Sequence, residues 1–327
     1  MASITTSTAD PNVAYWHTYL QYPTDGLIHE LAMNDANSLN YMDQAFTIGP
    51  RPRLNTPIAA IRVYYITQDS KVQELQWTNH MWVVGPILGD VVFGSIGLYA
   101  QVRAGGATLA ELRIGYQCPV NPNTITESYF IPSQSRWGNI TMTRSVHIFP
   151  GFSTSCIASI TTSTADPNVA YWRTYSQCPT DGLIHELLLN DANSLNYREN
   201  AFTIGPRPRF NTPIAAVNWN GFREASTPMM CTTDVALTTL QIRIYYITQD
   251  SKVQELLLSN HTWAVGPILG DVVFGSIGLY AQVRASGATL AELRVGYQCP
   301  ANPNTITESY YISSQSRWGV RTYPSMM

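Results

Sequence analysis

Along most of the chain, apolar and polar side chains alternate in short runs separated by polar turns. The run from Ile61 to Leu75, IRVYYITQDSKVQEL, is typical. In an extended strand Arg62 and Tyr64 share one face while Val63 and Tyr65 share the other. TQDS supplies turn residues, and a second extended run ends in Glu74. The pattern predicts a β-hairpin. With its turn centred on Gln68, Arg62 stands directly opposite Glu74 as a cross-strand neighbour.

The same strand–turn–strand phrase returns along the chain. ASITTSTADPNVAYW begins at Ala2 and again at Ala158, and TPIAA at Thr56 and Thr212, an offset of 156 in both cases. From Arg62 and Arg243 onward the offset is 181, because Val217–Gln241, 25 residues long, occurs only in the second copy. Within each half a shorter unit repeats, anchored at His17, Arg62, Arg113, Arg173, Arg243 and Arg294. These anchors are 45, 51, 60, 70 and 51 residues apart. Units of this length, each holding two to four short strands, match the blades of a propeller. The expected fold is all-β: one six-bladed β-propeller over residues 1–327, built from three-blade halves at 1–155 and 156–327. The blade of Arg62, lacking the 25-residue segment, is expected to be truncated.

Composition narrows the function. Charged residues make up only 13% of the chain, about half the usual share. The net charge of −3 leaves no basic footprint for nucleic acid. No apolar run approaches the roughly 18 residues of a membrane span, so no membrane insertion is expected. Residues 1–16 lack a basic start followed by an apolar stretch, which points to a cytoplasmic protein or one exported without a leader. The five cysteines lack CxxC spacing and read as reduced thiols. The six histidines form no ligand-like cluster, and His29 and His185 are copies of one strand position in LIHEL. Neither a metal nor another cofactor is expected.

One arginine–glutamate pair is ordinarily a surface salt bridge worth about 0–1 kcal/mol. Here the pair recurs as Arg62/Glu74, Arg113/Glu127, Arg173/Glu186, Arg243/Glu255 and Arg294/Glu308, through turns of differing length. A tryptophan follows in most units: Trp82, Trp137, Trp263 and Trp318. A guanidinium offers fixed donors, a carboxylate only acceptors, and an indole an apolar face with one N–H. Together they suit a neutral ligand rich in hydroxyls, a sugar.

TPIAAVNWNG followed by IRIYYITQDSKVQEL and HTWAVG resembles a blade of the fungal fucose-specific lectins, the Aleuria aurantia lectin type. The resemblance implies a six-bladed propeller that binds L-fucose and fucosylated glycans in clefts between blades. It assigns ligand contacts to Arg113, Glu127, Trp137, Arg173, Glu186, Arg243, Glu255, Trp263, Arg294, Glu308 and Trp318. Arg62, Glu74 and Trp82 stand apart, because their unit lacks the 25 residues. His17 replaces the first arginine opposite Glu30, and the Arg173 unit has Tyr197 or Phe202 where a tryptophan would fall. The partners expected are fucosylated glycans and glycoproteins, with a second copy of the chain as a further candidate.

Two rival readings remain. In a protein-binding propeller the Arg/Glu pairs are merely structural. A propeller glycosidase of the sialidase kind needs acidic groups converging on one pocket. The carboxylates here recur once per unit and no S-x-D-x-G-x-x-W box occurs, so no enzyme is expected.

Overall fold

The computed structural model describes residues 2–7, 14–22, 24–33, 42–54, 56, 58–59, 62–78, 81–95, 97–105, 108–120, 125–131, 136–141, 157–163, 170–178, 180–189, 198–219, 240–259, 262–286, 289–303, 305–312 and 317–323. They form 24 strands and, among the described residues, no helix. Blade I comprises β1 (Ala2–Ser7), β2 (Ala14–Gln21), β3 (Ile28–Met33) and β4 (Met42–Ala45). Blade II has β5 (Ile58–Ala59), β6 (Val63–Ile66), β7 (Lys71–Thr78) and β8 (Met81–Asp90). Blade III has β9 (Leu98–Gly105), β10 (Thr108–Gln117), β11 (Ile125–Ile131) and β12 (Arg136–Thr141). Blade IV has β13 (Ile157–Ser163), β14 (Ala170–Gln177), β15 (Ile184–Leu189) and β16 (Arg198–Ala201). Blade V has β17 (Ile214–Trp219), β18 (Gln241–Ile247), β19 (Lys252–Ser259) and β20 (Thr262–Asp271). Blade VI has β21 (Leu279–Ser286), β22 (Thr289–Tyr297), β23 (Thr307–Ile312) and β24 (Arg317–Thr322).

Each blade is an antiparallel meander whose strands follow chain order. The first strands β1, β5, β9, β13, β17 and β21 touch in cyclic order, and β21 returns to β1. The protein is a six-bladed β-propeller.

Strand alternation explains the packing. A blade buried on both faces sends odd and even residues to different neighbours. Val63 and Tyr65 join Tyr19, Ile28 and Phe46 between blades I and II. Tyr64 and Ile66 join Leu98, Leu112 and Ile114 between blades II and III. The remaining clusters fall at the other four boundaries. The last of them, Leu20, Tyr22 and Leu31 with Tyr280, Ile306 and Tyr323, joins blade VI to blade I.

Two details correct the sequence reading or bear on it. The β6–β7 register pairs Tyr64 with Glu74, so Arg62 lies diagonal to Glu74 and not directly opposite. The loop has three residues, Gln68 to Ser70, and Ser70 takes a left-handed conformation (φ 57°). Thr67 and Lys71 close it, which centres the hairpin on Asp69 and moves the register by two. Blade II keeps four strands, but β5 and β6 span two and four residues where β17 and β18 span six and seven. Of the segment Val217–Gln241, residues 220–239 lie outside the described residues.

Candidate functional site

The third strand of each blade carries one glutamate at its centre: Glu30, Glu74, Glu127, Glu186, Glu255 and Glu308, all buried. A buried carboxylate needs donors. In every blade one comes from a tyrosine hydroxyl: Tyr19 to Glu30 (3.0 Å), Tyr64 to Glu74 (2.8 Å), Tyr99 to Glu127 (2.5 Å), Tyr175 to Glu186 (3.1 Å), Tyr245 to Glu255 (2.8 Å) and Tyr280 to Glu308 (2.5 Å). Burial, then the adjacent carboxylate, pushes the phenols of Tyr19, Tyr64, Tyr175, Tyr245 and Tyr280 far up, so they remain protonated donors.

The tyrosine reaches its glutamate by two routes. In blades I, II, IV and V it stands on the second strand, paired across the sheet with an alanine of the first: Ala2, Ala59, Ala158 and Ala215. In blades III and VI it stands on the first strand and is paired with Gly115 or Gly296. A Cβ on Gly115 would lie 2.0 Å from the Tyr99 ring, and one on Gly296 2.1 Å from Tyr280. These glycines exist to let the ring cross. On the outer side of blades II and V, a bulge at Gly85-Pro86 and Gly266-Pro267 clears room for Glu74 and Glu255.

A basic side chain completes each cluster. The distances are His17–Glu30 2.9 Å, Arg62–Glu74 2.7 Å, Arg113–Glu127 3.2 Å, Arg173–Glu186 2.7 Å and Arg243–Glu255 3.2 Å. Blade VI departs from the expected Arg294/Glu308 pair. Arg294 is fully buried with its Nε 2.7 Å from Glu292, while Glu308 receives Arg321 (2.6 Å) and the Tyr323 hydroxyl (2.5 Å). Arg321 was missed in sequence, yet it is visible as a difference between the copies. Its counterpart in the first half is Ile140.

The tryptophans also regroup. Trp82 donates its indole N–H across the blade boundary to Glu30 (3.3 Å) and meets Tyr19 edge-on. Trp263 likewise packs edge-on against Tyr175 of blade IV. Trp137 joins the cluster that holds Tyr64, and Trp318 the one that holds Tyr245. Each therefore packs at the boundary with the preceding blade, and Trp82 reaches that blade's carboxylate directly. Register is the reason: Trp82 pairs with Trp77, an odd position on β7, whereas Glu74 is even and faces the other way. Phe202 packs at 4.6 Å from Trp263. Tyr197, the other candidate there, lies outside the described residues.

Three further aromatic rings lie under guanidinium groups: Trp172 under Arg113 (4.3 Å), Trp219 under Arg243 (4.8 Å) and Phe130 under Arg62 (5.7 Å). The basic side chains differ in access. The side chains of Arg62, His17 and Arg243 are 27%, 25% and 17% exposed, whereas Arg113, Arg173 and Arg294 are buried. The boundary of blades I and II also opens into a cavity of about 450 Å³ lined by Ile28, Phe46, Tyr65 and Leu75, and Glu30 is not part of its wall. Its copy between blades IV and V measures about 150 Å³.

Electrostatics separate two of the carboxylates. Burial raises Glu255, and Arg243 and the Tyr245 hydroxyl offset that only in part, leaving it above the usual range. Burial also works against Glu30, but the bonds and charge of His17, with Tyr19 and Trp82, hold it below. Away from these clusters, Cys178, Asp181 and His185 come together as a potential metal-ligand group, contrary to the expectation that no histidine would.

The chain is a closed ring whose blade boundaries hold repeated polar clusters. The chain belongs to the family of fungal fucose-specific lectins, whose family model matches residues 26–325. It is thus a member of a lectin family and not of an enzyme family. Among solved structures it resembles Aleuria aurantia lectin in complex with alpha-methyl-L-fucoside, at 19% identity over 100% of this chain and 95% of that one, TM-score 0.70. AofleA from Arthrobotrys oligospora is similar at 19% identity, covering 98% and 85% of the two chains, TM-score 0.70. SapL1 lectin in complex with alpha methyl fucoside is 21% identical over 99% and 97%, TM-score 0.68. No curated protein matches the chain.

Proposed function

We propose that the protein is a multivalent lectin for L-fucose and fucosylated glycans, with each sugar seat shared by two neighbouring blades. One observation carries this reading: at the boundary of blades I and II the tyrosine-bound Glu30 meets both the His17 imidazole and the indole of Trp82 from the next blade. A sugar hydroxyl both donates and accepts, so a guanidinium and a carboxylate held together can serve a pair of them. The indole and neighbouring rings offer apolar surface for C–H groups and for the methyl group of a 6-deoxy sugar. The seats foremost in this proposal are those of Arg62 with Glu74 and Trp137, and of Arg243 with Glu255 and Trp318. There the cation is part-exposed and can exchange water for a ligand. Fucosylated glycoproteins are the proposed partners, because seats spread around one ring raise avidity by about 10²–10⁴ over a single seat.

Calorimetry with alpha-methyl-L-fucoside tests the proposal. Arg62→Ala and Arg243→Ala each remove charge-assisted bonds worth about 1.5–3 kcal/mol. Each should lower the binding stoichiometry by one, with the other seats keeping their affinity. If both variants retain full stoichiometry and affinity, the pairs are structural and the reading as a protein-binding propeller takes over.

A further inference from the structure

The two halves of the chain differ at one turn in a way that changes its chemistry. In blade I the imidazole of His29 lies between Asp25 (Nε2, 2.9 Å) and Asp43 (Nδ1, 2.7 Å). Tyr22 stacks flat on it, with ring centroids 3.7 Å apart, and donates its hydroxyl to Asp43. In blade IV the same frame holds His185 between Asp181 (Nε2, 2.9 Å) and Glu199 (Nδ1, 2.6 Å). The position of Tyr22 is now Cys178. Its sulfur, a ring nitrogen of His185 and a carboxylate oxygen of Asp181 all lie within 4.8 Å of one another.

We propose that Cys178, Asp181 and His185 form a site for one zinc-like divalent cation, with water as the fourth ligand. Thiolate, imidazole and carboxylate are ligand types of tetrahedral zinc, and three protein ligands with one open position is a recurrent arrangement. The surroundings fit. Glu199 on Nδ1 fixes the ring with Nε2 toward the ion, the carboxylate–histidine–metal relay seen around such centres. Asp181 accepts the Leu183 amide on Oδ1 (2.8 Å), leaving Oδ2 on the side of His185. The Thr180 hydroxyl lies 2.7 Å from the Cys178 sulfur, placed to donate to a thiolate. The turn is rigid: Gly182 sits in a left-handed conformation and bonds to the Cys178 carbonyl, and Cys178 bonds to that of Leu183.

The proton account closes. A cation bound at Nε2 and at Sγ takes the place of any hydrogen on either atom, so its uptake releases protons. The dication, the thiolate and the Asp181 carboxylate then sum to zero, and Glu199 keeps the Nδ1 hydrogen. The first half has only the His and Asp ligands, with a tyrosine ring over the imidazole. One ion per chain is therefore expected, not two. This proposal is independent of the lectin reading.

The test is titration of the full, thiol-reduced chain with Co²⁺, followed by displacement with Zn²⁺. The wild-type protein should bind one cobalt with a thiolate-to-metal charge-transfer band. Cys178→Tyr, which installs the residue of the first half, should abolish both band and binding, and Cys178→Ser supplies the same readout with smaller bulk. Glu199→Gln should weaken binding by about 10–100-fold. Tyr22→Cys should raise the stoichiometry to two. No cobalt binding by the reduced wild type, or one equivalent still bound by folded Cys178→Tyr and Cys178→Ser, overturns the proposal.

Discussion

The tyrosine–glutamate bond is the residue-scale unit repeated in every blade. Tyr245→Phe leaves Glu255 buried beside Arg243 without its phenolic donor. The expected cost is about 1.5–3 kcal/mol at neutral pH, read by urea unfolding. Because the folded pKa of Glu255 is raised, its contribution favours folding fully below the ordinary value of 4.5 and is lost as pH rises through the folded value. Glu30 has the opposite sign. Its pKa is lowered, so its stabilisation is present above 4.5 and is lost as pH falls through the folded value. Glu30→Gln should therefore flatten the acid limb of a plot of Tm against pH. An acid limb as steep as that of the wild type would show that His17, Tyr19 and Trp82 do not hold the charge.

At the scale of strands, the tyrosine and its small cross-strand partner are exchangeable. Gly115→Ala would drive a methyl group into the Tyr99 ring, at an expected cost of about 1–3 kcal/mol. Replacing Tyr99 with Ala and Gly115 with Tyr together reproduces the pairing of Ala59 with Tyr64 in blade II. A double-mutant cycle should show this pair more stable than the sum of its single variants, with coupling of about 0.5–3 kcal/mol. Blades II and V offer a natural comparison, since β6–β8 and β18–β20 are near copies while their inner strands span two and six residues. Hydrogen exchange should be faster at Val63–Ile66 than at Ile244–Ile247, and equal rates would mean that the short inner strand costs nothing. Strands and blades were legible in the sequence because alternation and repetition are properties of the chain itself. The register was not, since the left-handed Ser70 sets the centre of the hairpin at Asp69 and not at Gln68. Nor was the grouping of Trp82 with Glu30, because a period-two pattern tells which residues share a face but not which neighbour that face meets. The roles of Tyr99 and Arg321 depend on contacts between strands that motif spacing does not encode.

Across the whole molecule, six apolar boundaries hold six blades, and the one between VI and I is made last. Tyr323 is buried there among Leu20, Tyr22 and Leu31, and bonds Glu308. Tyr323→Ala should cost about 3–5 kcal/mol, as for other large buried aromatic truncations, and lower Tm with the fold otherwise intact. If Tm is unchanged, closure rests on other contacts. Every blade is drawn from one uninterrupted stretch of chain, so no strand is lent from the last blade to the first. During synthesis, blades can condense one after another as they emerge. The flank of blade I that bears Leu20, Tyr22 and Leu31 has no mate until blade VI, with Tyr280, Ile306 and Tyr323, has been added. Through most of translation, then, a nascent chain presents a sticky, unsatisfied end of its own making. Two ribosomes on one message would carry such ends side by side, and capture by blade VI of the same chain would close each ring on itself.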